Sequence, residues 1–216
     1  DVQEKPKGKL RTGFTTGTSA TAASMAAILS IINQKKIESV DVLLPKKNRI
    51  KININSCKFD KNKAHCSVIK DGGDDPDVTH GAEIVVDLEL TTKPNSIEID
   101  GGEGVGRVTK PGIGLEIGQA AINPIPRKMI TENLTLTGKK ILEKNGIKVV
   151  ISVPKGKELG PKTDNPRIGI VDGISILGTS GIVIPYSTAS FAAAIRQQID
   201  VVVSMGDDTV ILTTGG

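Results

Sequence analysis

The chain has 216 residues, enough to bury a substantial core as one large domain or two small ones. Its 28 Lys and Arg against 24 Asp and Glu leave a net charge of +4, with the basic residues scattered rather than gathered in a stripe. With three Phe, one Tyr and no Trp there is little to stack on bases, so nucleic acid is a poor partner and a small anionic molecule a better one. Cys57 and Cys66 show no CxxC spacing, which indicates neither a zinc site nor a disulfide framework and points to a reducing compartment.

The N-terminus opens on Asp1, which is not an initiator residue, and is expected to be trimmed. After a polar tail over 1–9, "GFTTGTSATAASMAAILSII" passes from turn chemistry into an Ala-rich helix, with Thr18 or Ser19 expected to cap its first turn. Its sides are small or apolar all round, so it should be buried, with Ala20, Ala22, Ala23, Ala26 and Ala27 letting a backbone or flat ligand approach. The apolar run 20–32 is shorter than the roughly 18–20 residues that span a bilayer and has no basic leader. A cytoplasmic protein with no membrane partner is expected.

Alternating segments follow: "VDVLL" (40–44) and "RIKINI" (49–54) read as a hairpin, then "AHCSVIK" (64–70), "EIVVDLEL" (83–90) and "SIEID" (96–100) as further strands. Beyond 136, "TGKKILEKNG" reads as a short helix closed by Gly146, "IKVVISV" as a strand, "STASFAAAIRQQI" as a helix and "DVVVSM" (200–205) as a strand. The proline-bearing piece 110–129 is expected to be a stiff extended connector. The expected architecture is an α+β first domain over 1–125, a buried Ala-rich helix on a largely antiparallel sheet. It is joined to an α/β second domain over 126–216 with parallel pairing. That second domain looks truncated, because "VILTTGG" reads as a strand entering a βα loop.

Three groups of residues carry candidate chemistry. "KDGGDDPDVTHG" (70–81) sets Asp71, Asp74, Asp75 and Asp77 beside His80, which could hold a cation, steer a proton or turn the chain. No metal site is expected, because the spacing only partly resembles a calcium loop. "GGEGVGRVTKPG" (101–112) departs from G-x-G-x-x-G because Arg107 stands at the third glycine, which rejects a dinucleotide fingerprint. It is either a turn between strands or a binding loop using Glu103, Arg107 and Lys110. "LGTSG" (177–181), "MGDD" (205–208) and "TTGG" (213–216) each follow an expected strand, where open α/β sheets bind ligands. His65, within a strand, is expected to be structural or exposed. No hydrolase elbow, zinc-protease motif or Walker loop occurs.

Taken in order, "LRTGFTTGTSATAA", "KDGGDDPDVTHG", "GGEGVGRVTKPG", "AINPIPRKMI", "NPRIGIVDGISILGTSGIV" and "TTGG" resemble the CbiD family, the cobalt-precorrin-5B C-1 methyltransferases of anaerobic cobalamin biosynthesis. Ser19 stands where that family's Cys is expected and Gly72 where Ala is usual, and family members continue beyond the "TTGG" point. The resemblance implies methyl transfer from S-adenosylmethionine to carbon 1 of cobalt-precorrin-5B, giving cobalt-precorrin-6A, with cobalt present only in the corrinoid substrate. For that chemistry His80 and Asp75 are the catalytic candidates. Gly178, Thr179, Ser180, Gly181, Asp207 and Asp208 are the methyl-donor candidates, and the Asp207 or Asp208 carboxylate suits a ribose diol. Thr15, Thr16, Arg107, Lys110 and Arg127, with Arg11, are candidates for the substrate and its carboxylate arms. Self-association as a homo-oligomer is left open. The alternative function is a non-catalytic tetrapyrrole- or nucleotide-binding module.

Overall fold

In the computed structural model, which describes residues 8–211 and 213, β1 (Gly13–Phe14) runs directly into α1 (Thr16–Asn33). The cap is Thr15, not Thr18 or Ser19: Thr15 Oγ1 accepts from the Thr18 N–H at 3.1 Å. The two expected caps are spent otherwise, Thr18 Oγ1 donating to Gly181 O at 2.8 Å and Ser19 Oγ to Thr15 O at 3.0 Å. Every residue from Thr16 to Ile28 is buried. Thr21 and Ser24 tolerate this because their hydroxyls donate to the carbonyls of Gly17 and Ala20 at 2.8 and 2.7 Å.

The elements that follow are β2 (Ser39–Leu43), β3 (Arg49–Asn53), β4 (Ser56–Phe59), β5 (Lys63–Ile69), β6 (Glu83–Thr91), β7 (Ile97–Gly101) and β8 (Arg107–Val108). Then come α2 (Pro124–Thr137), α3 (Lys139–Leu142), β9 (Gly146–Ser152), α4 (Gly156–Leu159), β10 (Ile170–Val171), β11 (Ile182–Val183) and α5 (Thr188–Ser204). The expected hairpin is β2–β3, with Val40 opposite Ile52 and Val42 opposite Ile50. A five-stranded sheet runs β4-β5-β6-β9-β7, antiparallel except for the parallel β7–β9 pair. One face, with Cys66, Val68, Ile84, Val86, Leu88, Ile147, Val149 and Ile151, joins α1 in the main core. The other exposes Lys63, His65, Asp87, Glu89 and Lys148, with His65 Nδ1 2.8 Å from Asp87 Oδ1.

β9 lies beyond the boundary expected at 125/126, yet it sits between β6 and β7. Its alternate residues Ile147, Val149 and Ile151 are fully buried there, so one core is shared by both halves of the chain. The buried Asn133 of α2 adds a further tie, accepting from Leu43 N–H and donating to Leu43 O, both at 2.9 Å.

Three expected elements change identity. Pro124 and Pro126 lie in the first turn of α2 rather than in an extended strap, a position where a missing N–H costs nothing. The helix expected over 137–146 shrinks to α3, which starts after Gly138 and ends at Leu142, and Gly146 opens β9 instead of closing a helix. The strand expected at 200–205 is absorbed into α5, which Ser187 caps. Helical continuation gives Val201 its burial in a small second cluster with Ala121, Ile168 and Ile170, and this tertiary contact overrides the strand preference of Val201, Val202 and Val203. In the expected loop 213–216, positions 214–216 lie outside the described residues. No helix among the described residues is long and apolar enough to cross a membrane.

Candidate functional site

The segment 11–14 crosses the start of the acidic loop at backbone distance. Phe14 N–H donates to Asp71 O at 2.8 Å, and Asp74 N–H to Arg11 O at 3.0 Å. Arg11 returns its own N–H to Asp74 Oδ2 at 2.6 Å and forks both Nη groups onto the Asp71 carboxylate. Only glycine allows the crossing: a Cβ on Gly13 would lie 2.2 Å from the Gly72 carbonyl carbon, and one on Gly73, whose φ is +67°, would lie 2.3 Å from Arg11 O. The Arg11 hydrogen bonds hold the Asp71 carboxyl down at about 2, against partial burial and with help from the Gly73 N–H.

Deeper in the loop, Lys70 is only 2% exposed and its ammonium pairs with Asp77 Oδ2. Asp77 Oδ1 accepts from the N–H and hydroxyl of Thr79 at 2.7 and 2.6 Å. Burial pushes the Asp77 carboxyl up, but Lys70 and Thr79 outweigh it and leave it below the ordinary carboxylate range. The loop so fixed presents His80, half exposed, with Nδ1 accepting the Gly72 N–H at 3.0 Å. That bond places the proton of the neutral ring on Nε2, which has no partner among the described residues. Asp75 Oδ1 accepts the main-chain N–H of Tyr186 at 2.8 Å.

A third segment closes on the start of α1. β1 pairs with β11, Thr15 N–H donates to Gly181 O at 3.1 Å, and Gly17 N–H to Leu177 O at 2.8 Å. Thr16 Oγ1 accepts from Leu177 N–H at 2.8 Å. Gly178 has φ +142°, and a Cβ there would lie 2.3 Å from Thr15 Oγ1, so this loop too depends on glycine. The N–H groups of Gly178, Thr179 and Ser180 find no acceptor among the described residues. Thr15, Thr16, Asp75, His80 and Gly178–Gly181 are thus brought into one neighbourhood where segments 11–19, 70–81 and 177–186 meet.

The remaining candidates are held by other partners. Arg107 Nη2 donates to Gly101 O at 2.5 Å and its Nη1 pairs with Asp100 at 3.2 Å. Arg127 braces the carbonyls of Ile122 and Ile99 at 3.0 and 2.7 Å. Burial lowers the Arg127 pKa; Asp100 opposes this and Arg107 adds to it. Lys110 lays its stem over Gly169. No hydrogen bond or ion pair among the described residues joins these three cations to Asp75 or His80. The glycine cluster is no open nest: Gly101, Gly102 and Gly106 donate to Asp100 Oδ1, Ile151 O and Ile174 O at 2.8 Å each. Asp207 and Asp208 follow a helix rather than a strand and are exposed, with Asp208 accepting from Thr209. Two features that hold the candidate site have little sequence signal: the Lys70–Asp77 pair, announced only by a lysine at the head of an acidic run, and the Tyr186 amide, which has no side-chain signature.

A family model described as CbiD matches residues 2–185. The chain is 50% identical over 210 residues to a cobalt-precorrin-5B C(1)-methyltransferase of Leptospira interrogans, covering 96% of this chain and 56% of that one. It is 50% identical to the enzyme so named from Rubrobacter xylanophilus, with 96% and 54% covered. For the Picrophilus torridus relative of the same name the identity is 48%, with 95% and 60% covered. Among solved structures, the cobalamin biosynthesis protein (cbiD) of Archaeoglobus fulgidus superposes with a TM-score of 0.63 at 33% identity, covering 88% of this chain and 60% of that one. The chain therefore spans a little over half the length of the curated relatives it matches. By these matches, over most of its length, it belongs to the CbiD family.

Proposed function

We propose that this chain carries the positioning site of an S-adenosylmethionine-dependent C-methyltransferase that methylates carbon 1 of cobalt-precorrin-5B, giving cobalt-precorrin-6A, in anaerobic cobalamin biosynthesis. Family membership and the names of the relatives support the reaction. The observation that carries the site is the convergence of α1's first turn, the acidic loop and the loop 177–181.

The residues there fit a methyl donor. Its methionine carboxylate needs N–H donors, and Gly178, Thr179 and Ser180 have theirs free of acceptors among the described residues. Its sulfonium favours nearby carboxylate, which the loop 70–81 supplies. The reaction breaks a sulfur–methyl bond while a carbon–carbon bond forms in line with it, so alignment is the main demand and no enzyme nucleophile is needed. Thr15 and Thr16 fix the first turn of α1 against the loop 177–181, and His80, with Nδ1 occupied by the Gly72 N–H, presents Nε2–H as a hydrogen-bond donor where charge develops on the ligands. Asp75 acts as a positioning residue through Tyr186. Arg107, Lys110 and Arg127, the first and last braced on main-chain carbonyls, serve the acetate and propionate arms of the corrinoid, the only component that carries cobalt. In this reading Asp207 and Asp208 are assigned no role.

The full-length protein, given S-adenosylmethionine and cobalt-precorrin-5B, is expected to form the methylated product. His80→Ala should lower kcat about 10²- to 10³-fold with little change in KM. Full turnover by His80→Ala removes the imidazole from the mechanism, and no product from the intact protein overturns the reading.

A further inference from the structure

Cys57 and Cys66 are distant from the site and used by none of its chemistry. They are direct partners across the antiparallel β4–β5 pair. That pair closes in a tight turn at 61–62, where Asp60 N–H donates to Lys63 O at 2.8 Å. Bonded and unbonded pairs alternate along such a ladder, so with Asp60/Lys63 bonded, Lys58/His65 is bonded and Cys57/Cys66 is an unbonded pair. Unbonded partners have Cα atoms about 4.5 Å apart, within the range of roughly 4.4–6.8 Å that a disulfide bridges. Both side chains face the core below α1, so the sulfurs lie on one side of the sheet, and Cys57 and Ser30 stand beside the Cys66 thiol.

We propose that Cys57 and Cys66 form a reversible thiol–disulfide site, closed by exchange with a small-molecule disulfide of the oxidised glutathione class. Cys66 is fully buried and Cys57 is 8% exposed, so Cys57 reacts first. Burial pushes the Cys66 thiol up, with Cys57 adding to the effect, which makes it a poor first nucleophile. The Cys57 thiolate attacks one sulfur of the small disulfide, forming a mixed disulfide and expelling one thiolate. Cys66, losing its proton, attacks the Cys57 sulfur, closes the protein disulfide and expels the second thiolate. The two protons from the cysteines end on the two released thiols, and the two electrons pass to the small disulfide.

Access comes from the position of β4, which is the sheet's edge strand and only four residues long. Short edge strands open at low free energy, without global unfolding. Closing the bridge then staples this edge to β5 behind α1.

Intact-mass measurement and peptide mapping of the native protein after incubation with oxidised glutathione test this. The expected product has lost two hydrogens, carries a Cys57–Cys66 cross-linked peptide, reverts with dithiothreitol and shows slower amide exchange in β4. Cys66→Ser should stop at a mixed disulfide on Cys57, and Cys57→Ser should leave Cys66 unreacted. Two free thiols persisting until global unfolding, or mixed disulfides accumulating on the native protein without a cross-link, would overturn the proposal.

Discussion

The carboxylate of Asp75 accepts the main-chain N–H of Tyr186 at 2.8 Å, joining positions 111 residues apart. Tyr186 is held at φ +55° between β11 and α5, a conformation a non-glycine residue keeps only when its surroundings impose it. The acidic loop thus anchors the segment that follows the loop 177–181. Asp75→Ala should remove about 1 kcal/mol of local stability and raise amide exchange at Tyr186 roughly fivefold. Asp75→Asn keeps an oxygen acceptor and should preserve the protection. Equal loss in both variants would mean that the charge, and not the tether, is what matters.

The Lys70–Asp77 pair holds the loop from below. Lys70→Met leaves a carboxylate in a largely buried place without its cation, which should cost about 3–5 kcal/mol. Adding Asp77→Leu should recover part of that loss, because the uncompensated charge goes, although the acceptor for Thr79 goes with it. Denaturant midpoints of the single and double variants measure both effects; a double variant no better than Lys70→Met would show that Asp77 acts through Thr79 alone.

Asp71 gives the loop a definite acid response. Its folded pKa of about 2 lies below the ordinary 3.8, so the contribution is complete above the higher value and is lost as pH falls through the lower. The stability difference between the native chain and Asp71→Asn should be flat from neutral pH down to about 4 and shrink toward zero near pH 2. A difference that grows on acidification would contradict the Arg11 fork as its cause.

Much of the fold could be read from the sequence because its signals were local. The alternation in 40–54, 64–70 and 83–90 places the same residues inward that the structure buries, and the small-residue helix is buried as its composition requires. What failed depended on distant partners. The valines at 201–203 carry a strand preference, but Val201 meets Ala121, Ile168 and Ile170, which no local window contains. The glycine-rich piece 101–112 read as a turn or a binding loop, whereas the donors of Gly102 and Gly106 are taken by Ile151 and Ile174, far away in sequence. In the site, the glycines of the acidic loop looked like turn residues. Their stronger reason is the crossing strand at 11–14, visible only once the chain is folded. Arg11, which the sequence offered to substrate carboxylates, is instead occupied by Asp71.

Amide hydrogen exchange of the full-length protein, with and without S-adenosylhomocysteine and the corrinoid substrate together, probes the composite site most directly. Protection should rise jointly in peptides covering 11–20, 70–82 and 175–187, because one ligand pair touches all three. Protection confined to other regions, with those peptides unchanged, would contradict the assignment of the methyl-transfer site to their meeting point.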